Sequence, residues 1–135
     1  MPGKVLIVDD EPYIVHVLSM KLGNAGYDVV TAGDGEEGLE VARAEQPDLI
    51  ITDYQMACLD GLAMCRAYRQ DSGQPVPAMV ITAREFDIEA DTLDGTGVEV
   101  ILPKPFSPRH VVDTIDHILQ EHRKVADVDV SGAGG

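Results

Sequence analysis

Hydrophobic residues gather in five short clusters, at Val5 to Val8, Val29 to Thr31, Leu49 to Thr52, Met79 to Thr82 and Val98 to Leu102. Each is rich in β-branched residues and bounded by polar or turn-forming positions, the pattern of buried strands. Between them the period changes. Ile14, Leu18 and Leu22 recur at the i, i+4 spacing that lines one face of a helix, and Pro12 suits its first turn. A second helix is predicted from Glu36 to Ala44 through Leu39 and Ala42, stopped by Pro47, and a third from Asp60 to Arg69 through Leu62 and Cys65. The last is the clearest: Ser107 serves as N-cap, Pro108 takes the first position, and Val111, Val112, Ile115, Ile118 and Leu119 form its apolar stripe. Arg84 to Gly97 is the weakest helical stretch, since Asp87, Asp91, Thr92, Asp94, Gly95 and Thr96 are poor helix formers.

Strands alternating with helices through short connections predict an α/β domain, a five-stranded parallel sheet with helices on both faces, spanning residues 1–124. After Lys124 the chain shows neither period nor length for another element, so residues 125–135 read as a flexible tail or linker stub. A chain of 135 residues, 44% hydrophobic, supports one real core. No apolar run is long enough for a membrane span or a signal-peptide core, which makes the cytoplasm the expected location. Ten basic against 24 acidic residues give a net charge of −14. That balance argues against direct contact with duplex nucleic acid and favours divalent cations and basic partner surfaces. Cys58 and Cys65 are too few for a disulfide framework, and if both lie on one helix, seven residues apart, they are about 10 Å from each other, too far to pair.

In open parallel sheets ligands bind beyond the carboxyl ends of the strands. The first strand ends in Asp9 and Asp10, the third in Asp53 and the fourth in Thr82, and Lys104 follows the fifth. Each has a plain structural reading: helix caps for Asp9 and Asp10, a turn residue for Asp53, a strand residue for Thr82, a solvated lysine for Lys104. Their convergence on one polar site favours chemistry. Three clustered carboxylates repel one another unless a hard divalent cation neutralises them, and magnesium is the natural candidate. A lysine supplies charge for a phosphoryl group, a threonine hydroxyl can donate to a phosphoryl oxygen, and a carboxylate can attack phosphorus to give an acyl phosphate. Met56 and Met64 read as packing, the cysteines as semi-buried small hydrophobes, and the four histidines as surface or edge residues.

The blocks Lys4-Val-Leu-Ile-Val-Asp-Asp-Glu-Pro12, Asp53 through Asp60-Gly61, Ile81-Thr-Ala83 and Lys104-Pro-Phe106 together resemble the response-regulator receiver domain of two-component signalling, over about Lys4 to Glu121. The resemblance implies a flavodoxin-like sheet of order 2-1-3-4-5. It implies that Asp53 accepts a phosphoryl group from a histidine kinase or phosphotransfer protein and signals to a downstream protein. Asp10 and Asp53 would bind magnesium directly with the backbone carbonyl of Gln55, Asp9 would act through water, and Lys104 and Thr82 would contact the phosphoryl oxygens. A cis Lys104-Pro105 bond would orient the lysine, and Gln55 and Arg84 would flank the approach of water to phosphorus. Three departures stand out: Ala57 replaces the usual proline, Ile101 replaces the usual aromatic switch residue, and the remaining residues are too few for an output domain.

Two other classes compete. A phosphohydrolase with an aspartyl-phosphate intermediate would carry a second acid two residues after the nucleophile, where this chain has Gln55. An acidic interaction module would merely retain the site. The predicted surface of the fourth helix and fifth strand carries Glu85, Asp87, Glu89, Asp91, Asp94 and Glu99 against Arg84 alone, which disfavours self-pairing through it, so a monomer or a complex with a basic partner is expected.

Overall fold

The computed structural model describes residues 3–83 and 88–134. Its elements follow in the order β1 (Lys4–Val8), α1 (Pro12–Asn24), β2 (Asp28–Ala32), α2 (Gly35–Glu45), β3 (Leu49–Thr52), α3 (Gly61–Ser72), β4 (Ala78–Thr82), β5 (Val98–Pro103) and α4 (Pro108–Gly134). The five strands pair in parallel in the order β2-β1-β3-β4-β5. Alternation along the strands separates two cores. Val5, Ile7, Ile51, Met79 and Ile81 pack against Leu18 and Leu22 of α1 and Val111, Ile115, Ile118 and Leu119 of α4. Leu6, Val8, Ile50 and Ala78 point the other way, toward Ala42 of α2 and Met64, Cys65 and Tyr68 of α3. Covering both faces is what allows the inner strands to be almost wholly apolar.

Local chemistry sets the helix ends. Asp34 and Asp60 cap α2 and α3 by accepting from the Glu37 and Ala63 amides at 2.9 and 2.8 Å. Ser107 caps α4, accepting from the His110 amide at 3.3 Å. α2 and α3 close through left-handed residues at Gln46 and Gly73.

Two expectations change. α4 does not stop near Lys124 but continues to Gly134. Extending a helix that is already nucleated adds one hydrogen bond per residue fixed, and no proline interrupts Val125 to Gly134. In place of a fourth α-helix before β5, the described part of Arg84 to Gly97 forms a short 3₁₀ turn at Ala90–Leu93. Arg84, Glu85 and Asp87 lie outside the described residues. Cys58 precedes α3 and is exposed, with φ at 73°, so the two cysteines share no helix. Among the described residues no helix is long and apolar enough to cross a membrane.

Candidate functional site

Parallel pairing aligns the strand ends: Val8 stands opposite Thr52, Thr52 opposite Val80, and Thr82 opposite Pro103. The residues that follow β1, β3 and β5 are therefore delivered to one edge of the sheet. Asp9 is anchored by its amide on Ala32 and Asp53 by its amide on the Val8 carbonyl, at 3.2 and 3.0 Å. Asp9, Asp10, Glu11 and Asp53 each offer a carboxylate oxygen, and these oxygens all lie within 4.8 Å of one another. Asp9 and Asp53 are buried while Asp10 and Glu11 are exposed, so the cluster is open to solvent on one side.

Lys104 answers this charge from across the sheet. Its Nζ lies 3.2 Å from Asp9 Oδ2, 2.8 Å from Glu11 Oε1 and 3.1 Å from Asp53 Oδ2. The Lys104 amide donates to the Thr82 carbonyl at 2.9 Å, and the Lys104-Pro105 bond is cis. Burial alone lowers the lysine pKa, but hydrogen bonds to Glu11 and Asp53 and the charges of Asp9 and Asp53 outweigh it, so the ammonium is held more firmly than usual. Asp9 moves up because burial penalises its charge, against the Glu11 amide and Lys104, which hold it down.

The nucleophile candidate is tightly framed. Asp53 Oδ1 accepts the Tyr54 amide at 2.7 Å, leaving Oδ2 toward Lys104. Thr52 Oγ1 donates to the Asp53 carbonyl at 2.8 Å, and the Gly61 amide donates to the Tyr54 carbonyl at 2.9 Å. A Cβ on Gly61 would lie 2.1 Å from the Asp53 carbonyl oxygen, so only glycine permits the start of α3 to lie this close.

Of the expected site residues, the structure brings Asp9, Asp10, Asp53 and Lys104 together. Thr82 is buried at the end of β4, beside β3 and β5. Gln55 is exposed two residues beyond Asp53, and no hydrogen bond among the described residues ties its side chain to the cluster. Arg84 lies outside the described residues. The capping role open to Asp9 and Asp10 falls away, because the N-cap of α1 is Glu11. Asp9 Oδ1 instead accepts the Glu11 amide at 2.9 Å. Glu11 itself escaped the sequence reading; its adjacency to the acidic pair was the available signal.

The four carboxylates outnumber the single ammonium among them. Hard oxygen donors with surplus negative charge suit a small divalent cation, and Lys104 shows that a positive centre is accepted there at hydrogen-bond distance.

Comparison with known proteins gives the same reading. The profile of the response regulator receiver domain matches residues 5–116. The alkaline phosphatase synthesis transcriptional regulatory protein PhoP of Bacillus subtilis is 43% identical over 122 residues, which are 89% of this chain and 50% of that protein. The DNA-binding response regulator MtrA of Mycobacterium leprae is 30% identical over 137 residues, 96% of this chain and 60% of that protein. The chain thus spans about half the length of the curated relatives it matches. Among solved structures, the chemotaxis response regulator CheY4 of Vibrio cholerae superposes with a TM-score of 0.78 at 32% identity, covering 86% of this chain and 98% of that one. With its fold, the order of its strand-end residues and these relatives in agreement, the chain belongs to the response regulator receiver domain family.

Proposed function

We propose that Asp53 accepts a phosphoryl group from a phosphohistidine of a sensor kinase or phosphotransfer protein, and that the receiver unit, residues 1–124, passes the change to a downstream protein. The observation that carries this reading is the Lys104 ammonium lying 3.1 Å from Asp53 Oδ2 and 3.2 Å from Asp9 Oδ2 inside an acidic cluster. Asp53 Oδ2 attacks phosphorus, the P–N bond of the donor breaks, and the imidazole leaves with the electron pair and takes up a proton. Lys104 neutralises charge on the transferred group, and the Thr82 hydroxyl meets another of its oxygens. Asp10, Asp53 and the Gln55 carbonyl would hold magnesium, with Asp9 joined through water. When bound, the ion offsets charge on the acids and the phosphoryl oxygens.

The chain acts on itself and is no enzyme toward other molecules. Gln55, standing where a phosphohydrolase has its second acid, deprives rapid turnover of its usual proton donor. We assign it to the cytoplasm as a monomer whose own surface, strongly acidic, does not contact nucleic acid directly; MtrA is described as DNA-binding, but this chain covers 60% of it.

Incubation with acetyl phosphate and magnesium, followed by intact-mass measurement, separates the alternatives. A lasting adduct of one phosphoryl group supports the reading. Rapid donor consumption without adduct points to a phosphohydrolase, and neither result leaves only an interaction module.

A further inference from the structure

Glu11 occupies the N-cap of α1 in an extended conformation, yet its side chain makes no capping bond. The Ile14 and Val15 amides use its carbonyl instead, at 3.1 and 3.2 Å. The carboxylate crosses to the end of β5, where Oε1 lies 2.8 Å from Lys104 Nζ, closer than either Asp53 or Asp9. An ammonium has three hydrogens, so three carboxylates occupy every donor that Lys104 possesses. The Glu11 side chain is 57% exposed against 13% for Lys104, which means that it closes over the ammonium from the solvent side and has open solvent to swing into. A carboxylate oxygen of Glu11 also lies within 4.8 Å of one of Asp53. Phosphoryl oxygens on Asp53 enter this same space, seek the same ammonium and carry the same sign of charge.

We propose that Glu11 is a positioning residue acting through Lys104: its carboxylate occupies, in the resting state, an ammonium donor suited to a phosphoryl oxygen, and swings into solvent as Asp53 is modified. The proposal rests on Asp53 as phosphoacceptor. Glu11 exchanges a hydrogen bond only; the bonds made and broken at phosphorus are unchanged.

The test compares the rate of phosphoryl gain from acetyl phosphate, at a fixed magnesium concentration, in the wild type, Glu11→Gln and Glu11→Asp. Removing one like charge about 5 Å from a group whose charge goes from −1 to about −2, under partial solvent screening, should speed the reaction about three- to tenfold in Glu11→Gln. The gain should shrink as salt is raised. Glu11→Asp, which keeps the charge on a shorter stem, should fall between. The Lys104 ζ-ammonium resonance in a ¹⁵N spectrum should also move in Glu11→Gln, a readout that a purely structural role in α1 would leave still. An equal or slower rate in Glu11→Gln overturns the proposal, a slower one assigning Glu11 to the cation. A wild type that gains no phosphoryl group defeats the reading of Asp53, and this proposal with it.

Discussion

Replacing Gly61 by alanine tests how rigidly the site is framed. The added Cβ would meet the Asp53 carbonyl oxygen at 2.1 Å, Thr52 Oγ1 at 2.8 Å and Thr52 Cγ2 at 3.0 Å. Relief to even 3.0 Å needs a movement of 3.0 − 2.1, about 0.9 Å, and the nearest obstacle is backbone that cannot rotate away. Either α3 backs off, losing the Gly61 amide to Tyr54 carbonyl bond, or Asp53 is displaced. Overpacking of this kind costs about 1–3 kcal/mol. A displacement near 1 Å at a reacting group lowers a rate by on the order of 10²-fold. Urea unfolding should report the first effect, and the rate of phosphoryl gain the second. Gly23 in α1 is the control: nothing lies within 4 Å of its Cβ position, so Gly23→Ala should stabilise by about 0.5 kcal/mol and leave the rate alone. If Gly61→Ala behaves like Gly23→Ala in both assays, the tight framing of Asp53 by α3 is wrong.

Magnesium at about a hundred times its Kd should stabilise the fold by about 2.7 kcal/mol, and thermal unfolding should show a rise in Tm for the wild type but not for Asp10→Asn; equal rises would remove Asp10 from the cation site. Burial pushes the Cys65 thiol up to about 12. The folded state therefore holds its proton where the unfolded thiol has lost it, and stability should fall by about 1.4 kcal/mol per pH unit above pH ~8.5. Cys65→Ala should flatten this slope in denaturant titrations, and a thiol reagent should label only the exposed Cys58 in the native protein. Arg66 of α3 donates to the Thr92 carbonyl at 2.6 Å and to the Asp94 carbonyl at 3.2 Å, pinning the Ala90–Leu93 turn. Arg66→Ala should raise hydrogen exchange there about three- to tenfold, corresponding to bonds of about 0.5–1.5 kcal/mol. Ile101, half-buried in β5, has no ring to bury behind Thr82, so phosphorylation should alter exchange most across residues 88–97; a stronger response elsewhere would refute this.

The strands were readable because burial on both faces leaves continuous β-branched runs, and their parallel order then forces Asp9, Asp53 and Lys104 to one edge. Those side chains could be assigned from their positions at strand ends without knowing any contact. Glu11 could not be assigned a role, because its partner lies 93 residues away in the chain and adjacency to the acidic pair does not name that partner. A Cβ on Gly38 of α2 would meet Met64 Sδ at 2.5 Å, as one on Gly61 would meet the Asp53 carbonyl oxygen, and only the folded packing creates these contacts. The end of α4 was misjudged since weak formers and glycines near Gly134 carry no stop signal strong enough to offset continued propagation. At Cys58 a left-handed turn before α3 decides that the two cysteines share no helix, which their spacing does not reveal.

The most direct measurement is to locate the phosphoryl group. Intact protein is treated with acetyl phosphate and magnesium, digested, and sequenced by fragmentation, in parallel with Asp53→Asn. The adduct should fall on Asp53 alone, be labile to hydroxylamine as an acyl phosphate, and vanish in Asp53→Asn. An adduct on another residue, or one that survives in Asp53→Asn, would contradict Asp53 as the acceptor.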